Sequence, residues 1–323
     1  MCYAKVETLT GAFAEFCPQK TEESHLHSKN LRGSLLCLLA AAIWGAAFVA
    51  QSVGMDYVGP FTFNFTRMLL GSAVLVPVIL WRDGRSPAHR KAHGLPELGS
   101  RRTLVVGGVC CGVMLFIGST LQQIGIQYTT AGKAGFITAL YVVLVPIAGL
   151  AFGRRPRWWV WLGVALSAVG LWLLCMTGPM GLNPGDGLVM LCAVGFTFHI
   201  LVVDHFSPLV DGVKLSCIQF FTCGMLNFIP MLLTEQVSLT ALMGAAAPIL
   251  YAGILSCGVA YTLQVVAQKD TDPTLASLIL CLESVFAVIF GALLLKESLS
   301  TRELLGCGLM FAAILLAQKP DDD

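Results

Sequence analysis

Polar and apolar positions separate along this chain into long blocks. Gly33–Gly54 and Pro60–Trp81 are apolar, and a basic loop, Arg82–Arg102, follows them. Thr103–Gln127 and Ala134–Gly153 come next, then a short basic turn and Trp158–Thr177. A Gly/Pro/Asn loop, GPMGLNPGD at 178–186, marks the middle of the chain. Gly187–Phe206, Leu215–Thr234, Ala245–Gln268, Thr274–Leu295 and Leu304–Ala317 bring the apolar stretches to ten. A hydrocarbon core about 30 Å thick is crossed by roughly 20 helical residues at about 1.5 Å each. Nine stretches reach that length; Leu304–Ala317, with 14 residues, does so only if Glu303 or Gln318 snorkels. No water is present in lipid to satisfy an open backbone, so each stretch predicts a helix. The expected fold is an all-α membrane protein with ten transmembrane helices.

Composition agrees. The chain is 56% apolar and 12% charged, with a mean hydropathy of +0.77, where a soluble domain carries about 25% charged residues. The net charge of +1 says little about partners, and no basic patch suited to nucleic acid is present, so nucleic acid is not expected as a partner; the lipid bilayer is the surrounding medium. Ten of the twelve cysteines fall inside apolar stretches and no CxxC occurs, so they read as packing residues, not as disulfides or metal ligands.

Lys and Arg set the orientation. With ten spans both termini share one side, and that side carries sixteen Lys and Arg against three on the other. The positive-inside rule therefore predicts cytoplasmic termini. Residues 1–30 are polar and carry no signal-peptide pattern; they are read as a disordered cytoplasmic tail, which a misplaced start codon would also produce.

The two halves repeat. A shift of 142 aligns Thr120–Arg155 with Thr262–Glu297 without a gap, with ten identities in 36 positions. Thr120-Leu121-Gln122 meets Thr262-Leu263-Gln264, Ala134 meets Ala276, and Gly149 meets Gly291. A shift of 152 sets Arg67 against Gln219. The predicted units are residues 31–177 and 186–318. Five helices per unit is an odd number, so the second unit enters the membrane upside down. Inverted repeats are an architecture of secondary transporters, whose substrate sites lie near midplane at the repeat interface. Gln122 lies about 10 Å outward of its helix centre and Gln264 about 12 Å inward, as inversion requires.

Few polar groups sit at depth, which makes them candidates. Glu283 is near the middle of Thr274–Leu295; a charge there costs on the order of 2.5–3.5 kcal/mol on insertion scales, so it should face a partner, a cavity or a substrate. It reads as a proton- or substrate-coupling carboxylate, or as a structural one. Arg67 lies about 10 Å from the external end of its helix. Its three readings are binding an anionic group, pairing with Glu283, and a structural role, snorkelling outward or bonding backbone carbonyls. Trp44 and Tyr141 sit away from the interfacial belts, where they either stack on an organic substrate or simply pack. Gln122, Gln123 and Gln264 need partners at mid-depth, from another helix or from substrate. His199, Asp204 and His205 resemble a metal constellation, but spacings of five and six put them on different helix faces, so no metal or other cofactor is expected.

Four segments carry a resemblance: AAIWGAAFVAQ at 41–51, NFTRMLLG at 64–71, TTAGKAGFITALYVVLVP at 129–146, and ASLILCLESVFAVIFGALLLKESLSTRELLG at 276–306. With the repeat and the ten stretches, they are similar to the drug/metabolite transporter superfamily, EamA type. The resemblance implies ten helices in two inverted EamA halves, a central cavity, and export or exchange of small metabolites. It implies a multi-pass protein of a bacterial plasma (inner) membrane. The family's ninth helix usually carries a Pro after its Glu and a Gly-Glu pair later; Ser284 and Lys296 stand there instead. Without that Pro the ninth helix is expected to be straighter.

The leading function is secondary transport of a small organic molecule, with protons as a candidate coupling ion. The competing class is an intramembrane enzyme; no HExxH, GxSG or second intramembrane carboxylate supports one. GxxxxGK[ST] is absent as well, which argues against a nucleotide-driven pump on this chain.

Overall fold

The computed structural model describes residues 18–83, 100–129, 131–175, 184–295 and 301–317. Most of the basic loop, residues 176–183, Lys296 and residues 1–17 of the expected tail lie outside them. Among the described residues every regular element is helical.

The elements are α1 (Pro18–Gly54), α2 (Pro60–Asp83), α3 (Arg101–Gly125), α4 (Ala131–Ala139), α5 (Tyr141–Ala151), α6 (Trp158–Cys175) and α7 (Pro184–Phe206). After them come α8 (Gly212–Thr234), α9 (Leu239–Gly244), α10 (Ala246–Leu250), a π-helical stretch (Tyr251–Tyr261), α11 (Thr262–Ala267), α12 (Pro273–Leu280), α13 (Glu283–Leu295) and α14 (Thr301–Ala317). Seven of the described helical runs are long and apolar enough to cross a membrane, and three shorter apolar helices accompany them: Trp158–Leu173, Pro273–Ala287 and Leu304–Ala317. This is a multi-pass membrane protein. The first helix begins at Pro18, ahead of the Gly33 start that hydropathy gives.

Local signals start several helices. Ser100 Oγ accepts from Thr103 N at the head of α3, and Asp211 Oδ1 accepts from Val213 N and Lys214 N at the head of α8. Asp272 caps α12, whose first residue is Pro273. Such caps satisfy amide N–H groups that the helix itself leaves unpaired.

Polarity is distributed inside out. Asn64, Ser119, Gln123, Ser167 and Asn227 are fully buried, while Leu80, Leu233 and Leu315 are exposed. Lipid is as apolar as leucine, so burial there is driven by packing of small groups and by hydrogen bonds between helices. Asn64 Nδ2 donates to Ser119 O, and Thr120 Oγ1 donates to Asn227 Oδ1.

Helix neighbours exchange consistently between the halves. The helix α2 packs along α8, α3 along α7, and α6 along α14. Exchanging halves turns the α3–α7 contact into a contact between Ala246–Ala267 and α1, which the structure also makes. The ends of α2 and α8 show the relation at atomic detail. Glu235, just after α8, accepts from Phe61 N, Thr62 N and Thr62 Oγ1 in the first turn of α2. Asp83, its equivalent at a shift of 152, pairs with Lys214 Nζ in the first turn of α8 at 2.8 Å. Each helix ends beside the other's beginning, so these equivalents run antiparallel.

The ninth stretch corrects the expectation from the missing Pro. It is not straighter: it breaks between α12 and α13 at Cys281 and Leu282. Ser277 Oγ donates to Thr274 O and Cys281 Sγ donates to Leu278 O, drawing carbonyls away from the helical ladder. The matching stretch in the first half breaks at Leu140. At both breaks the leucine N–H turns back three residues, Leu140 to Ile137 O and Leu282 to Ile279 O, and these four residues match at the shift of 142.

Candidate functional site

The two breaks face each other. Tyr141 is the first residue of α5 and Glu283 the first of α13, at equivalent positions in the two halves. Tyr141 Oη donates to Glu283 Oε1 at 3.4 Å, and both side chains are buried. The bond is long, so it orients the two groups more than it ties them.

Arg67 comes in from α2. It is 2% exposed, so it does not snorkel. Its Nε donates to Asn64 Oδ1 at 2.9 Å, and its guanidinium carbon lies 5.6 Å from the centre of the Phe63 ring. Its Nη2 has no partner, and no ion pair joins it to Glu283. Trp44, on α1, places its ring centre 4.5 Å from that of Tyr261 and donates from Nε1 to Ser256 O at 3.4 Å, in the π-helical stretch. Gln122 Nε2 donates to Thr138 Oγ1 at 3.1 Å. Gln264 is buried and its Oε1 is unpaired.

Glu283, Arg67, Trp44, Tyr141, Gln122 and Gln264 all line one cavity of about 490 Å³, its mouth included. Gln123 does not; its Nε2 donates to Gln51 O, a helix-to-helix bond. The cavity draws residues from both halves, with one cation and one carboxyl group in its wall.

Other lining residues gave little signal beforehand. Tyr261, Ser256, Gln51, Thr138, Phe48 and Phe196 are among them. Tyr261 immediately precedes the repeated Thr-Leu-Gln, which is the one hint the sequence holds for it. His199 belongs here as well: its ring lies 6.0 Å from Tyr261, edge to face, and its Nε2 bonds Gln219 Oε1 at 3.1 Å. Gln219 is the repeat equivalent of Arg67, so that pair of positions holds charge in one half only. Asp204 lies apart from His199, paired with Arg154, which also reaches Asp272 at 3.5 Å. Among the described residues no group of three His, Cys, Asp or Glu is placed to hold a metal ion.

A sequence model of the EamA-like transporter family matches the chain twice, over residues 31–176 and 183–318. The chain belongs to this family, within the drug/metabolite transporter superfamily. An uncharacterized transporter of Archaeoglobus fulgidus is 30% identical over 296 residues, covering 89% of this chain and 86% of the relative. The uncharacterized inner membrane transporter YedA of Escherichia coli K12 is 24% identical over 293 residues, covering 88% and 90%. One crystallised protein shares the fold with a TM-score of 0.69 at 18% identity, over 88% of this chain and 96% of that one. In this EamA-family chain the cavity sits where the two matched units meet, since Arg67, Gln122 and Tyr141 come from the first and His199, Gln264 and Glu283 from the second.

Proposed function

We propose that the chain is a secondary transporter that exports small organic metabolites by alternating access, with protons as the coupling ion through Glu283. It has ten spans in two inverted five-helix repeats, 31–177 and 186–318. It resides in the inner membrane of a bacterium with both termini in the cytoplasm. Glu283, Arg67, Trp44, Tyr141, Gln122 and Gln264 contact the substrate.

The observation that carries this reading is the contact between Tyr141 and Glu283 at paired helix breaks. Alternating access rocks one repeat against the other around a fixed site at their interface. Broken helices supply the hinges, and equivalent residues that touch across the interface are where the two halves exchange roles. Arg154, from the first half, holds Asp204 and Asp272 of the second, so an ion-pair cluster outside the cavity wall ties the halves together. The direction, export, is what the family resemblance implies.

The test is flux. Full-length protein in proteoliposomes is loaded with a mixture of labelled metabolites, with and without a pH gradient. Saturable movement of at least one solute, driven by the gradient and lost in Trp44→Ala, is expected. No protein-dependent movement of any solute overturns the proposal.

A further inference from the structure

Arg67 is the cavity's permanent charge. A guanidinium keeps its proton under all ordinary conditions, whereas a carboxyl group such as Glu283 loses its charge simply by taking one up. The structure gives Glu283 a partner in Tyr141 but leaves Arg67 Nη2 with none, 2% exposed and lining the cavity. A buried cation calls for a counter-charge, and a planar fork of N–H donors matches a carboxylate best. The acceptor that the fold supplies, Asn64 Oδ1, is neutral and takes Nε.

The wall beyond Arg67 is aromatic. Trp44 and Tyr261 lie at 4.5 Å and 59°, and His199 stands nearly perpendicular to Tyr261 at 85°. Such a tilted cluster takes one more ring edge-on or offset-stacked. Unpaired Gln264 Oε1 and Gln51 Oε1 leave polar positions on the same wall. An aromatic wall with a few convergent polar groups is the lining of a small-molecule site.

Resting on the transporter reading above, we infer that the substrate is a ring-bearing organic monocarboxylate, its carboxylate on Arg67 and its ring against Trp44 and Tyr261. An ammonium group on the ligand is not required, because Glu283 needs no second charge once it carries a proton. With a proton on Glu283, the wall presents the Arg67 guanidinium and no carboxylate, which favours an anion over a zwitterion or a cation.

Binding to the full chain in lipid nanodiscs tests this directly. The probes are 3-phenylpropionate, phenylalanine, phenethylamine, benzyl alcohol and acetate. Expected is saturable binding of 3-phenylpropionate, at least tenfold tighter than the other four. Arg67→Gln should weaken it tenfold or more without changing elution behaviour or thermal midpoint. Should that variant fail to fold, Arg67→Lys decides, since it keeps the charge and loses the fork: a weakening of threefold or more is expected. Equal or tighter binding of phenylalanine or phenethylamine, undiminished binding in the folded variant, or no binding of the acid overturns the inference. Flux separates the two readings: gradient-driven movement of a solute of another class leaves the transporter standing and sinks the monocarboxylate. Binding of the acid through Arg67 with no solute moved does the reverse.

Discussion

Tyr141 Oη and Glu283 Oε1 lie 3.4 Å apart although 142 residues separate them, and 142 is also the repeat shift. One position of the repeat thus carries a hydroxyl in one half and a carboxyl in the other, and the fold brings the two into contact. If Glu283 couples protons to substrate, Glu283→Gln, which keeps shape and hydrogen bonding, should leave the protein folded and remove the pH dependence of flux. The expected stability change is under about 1 kcal/mol, whereas Glu283→Ala strands the buried Tyr141 hydroxyl at about 1–3 kcal/mol. Thermal unfolding and flux against pH check both. Wild-type pH dependence in the Gln variant removes Glu283 from coupling.

Topology is open to a direct measurement. Single cysteines at positions 90 and 181, in a background whose exposed native cysteines have been removed, should label from opposite sides of the membrane. Labelling of both from one side contradicts the inverted arrangement that the antiparallel α2 and α8 support.

Glu235 holds the first turn of α2 with three hydrogen bonds at 2.6–2.9 Å. Carboxylates at a helix start pair with free amide N–H groups and with the positive end of the helix dipole. Glu235→Ala should cost about 1–2 kcal/mol and Glu235→Gln roughly half as much. The thermal midpoint in detergent reads the order, and a Gln variant weaker than Ala would refute the assignment.

Glycine at 45 lets α1 cross α13 next to the break. A Cβ there would lie 2.6 Å from Phe286 Cβ, 2.8 Å from Ala287 N and 2.9 Å from Glu283 O. Two of these atoms are backbone and cannot swing aside. Gly45→Ala should therefore cost about 1–3 kcal/mol and displace Glu283, lowering flux. Gly308, in α14, has nothing within 4 Å of its would-be Cβ. Gly308→Ala should gain about 0.5–1 kcal/mol from helix propensity and leave flux alone. Comparison of the two midpoints and two flux rates checks the contrast.

Apolar run length alone marked the chain as an all-helical membrane protein, because in a bilayer each segment must satisfy its own backbone. The repeat was legible from Thr-Leu-Gln and the glycine pair, and the cost of charge at depth marked Glu283 and Arg67. Run length did not show the break at Cys281–Leu282, since Ser277 and Cys281 look like ordinary small packing residues until their side chains are seen on Thr274 O and Leu278 O. Nor did it choose among the three readings of Arg67. The fold alone decided that the guanidinium is buried, that it bonds Asn64, and that it leaves Glu283 to Tyr141. The same holds for His199, which joins the cavity through Tyr261 rather than through its chain neighbours Asp204 and His205. The physical reason is that lipid does not distinguish one apolar helix face from another. Which face turns inward is set by close packing and hydrogen bonds to other helices, from 16 to more than 200 residues away, a condition that local sequence does not carry.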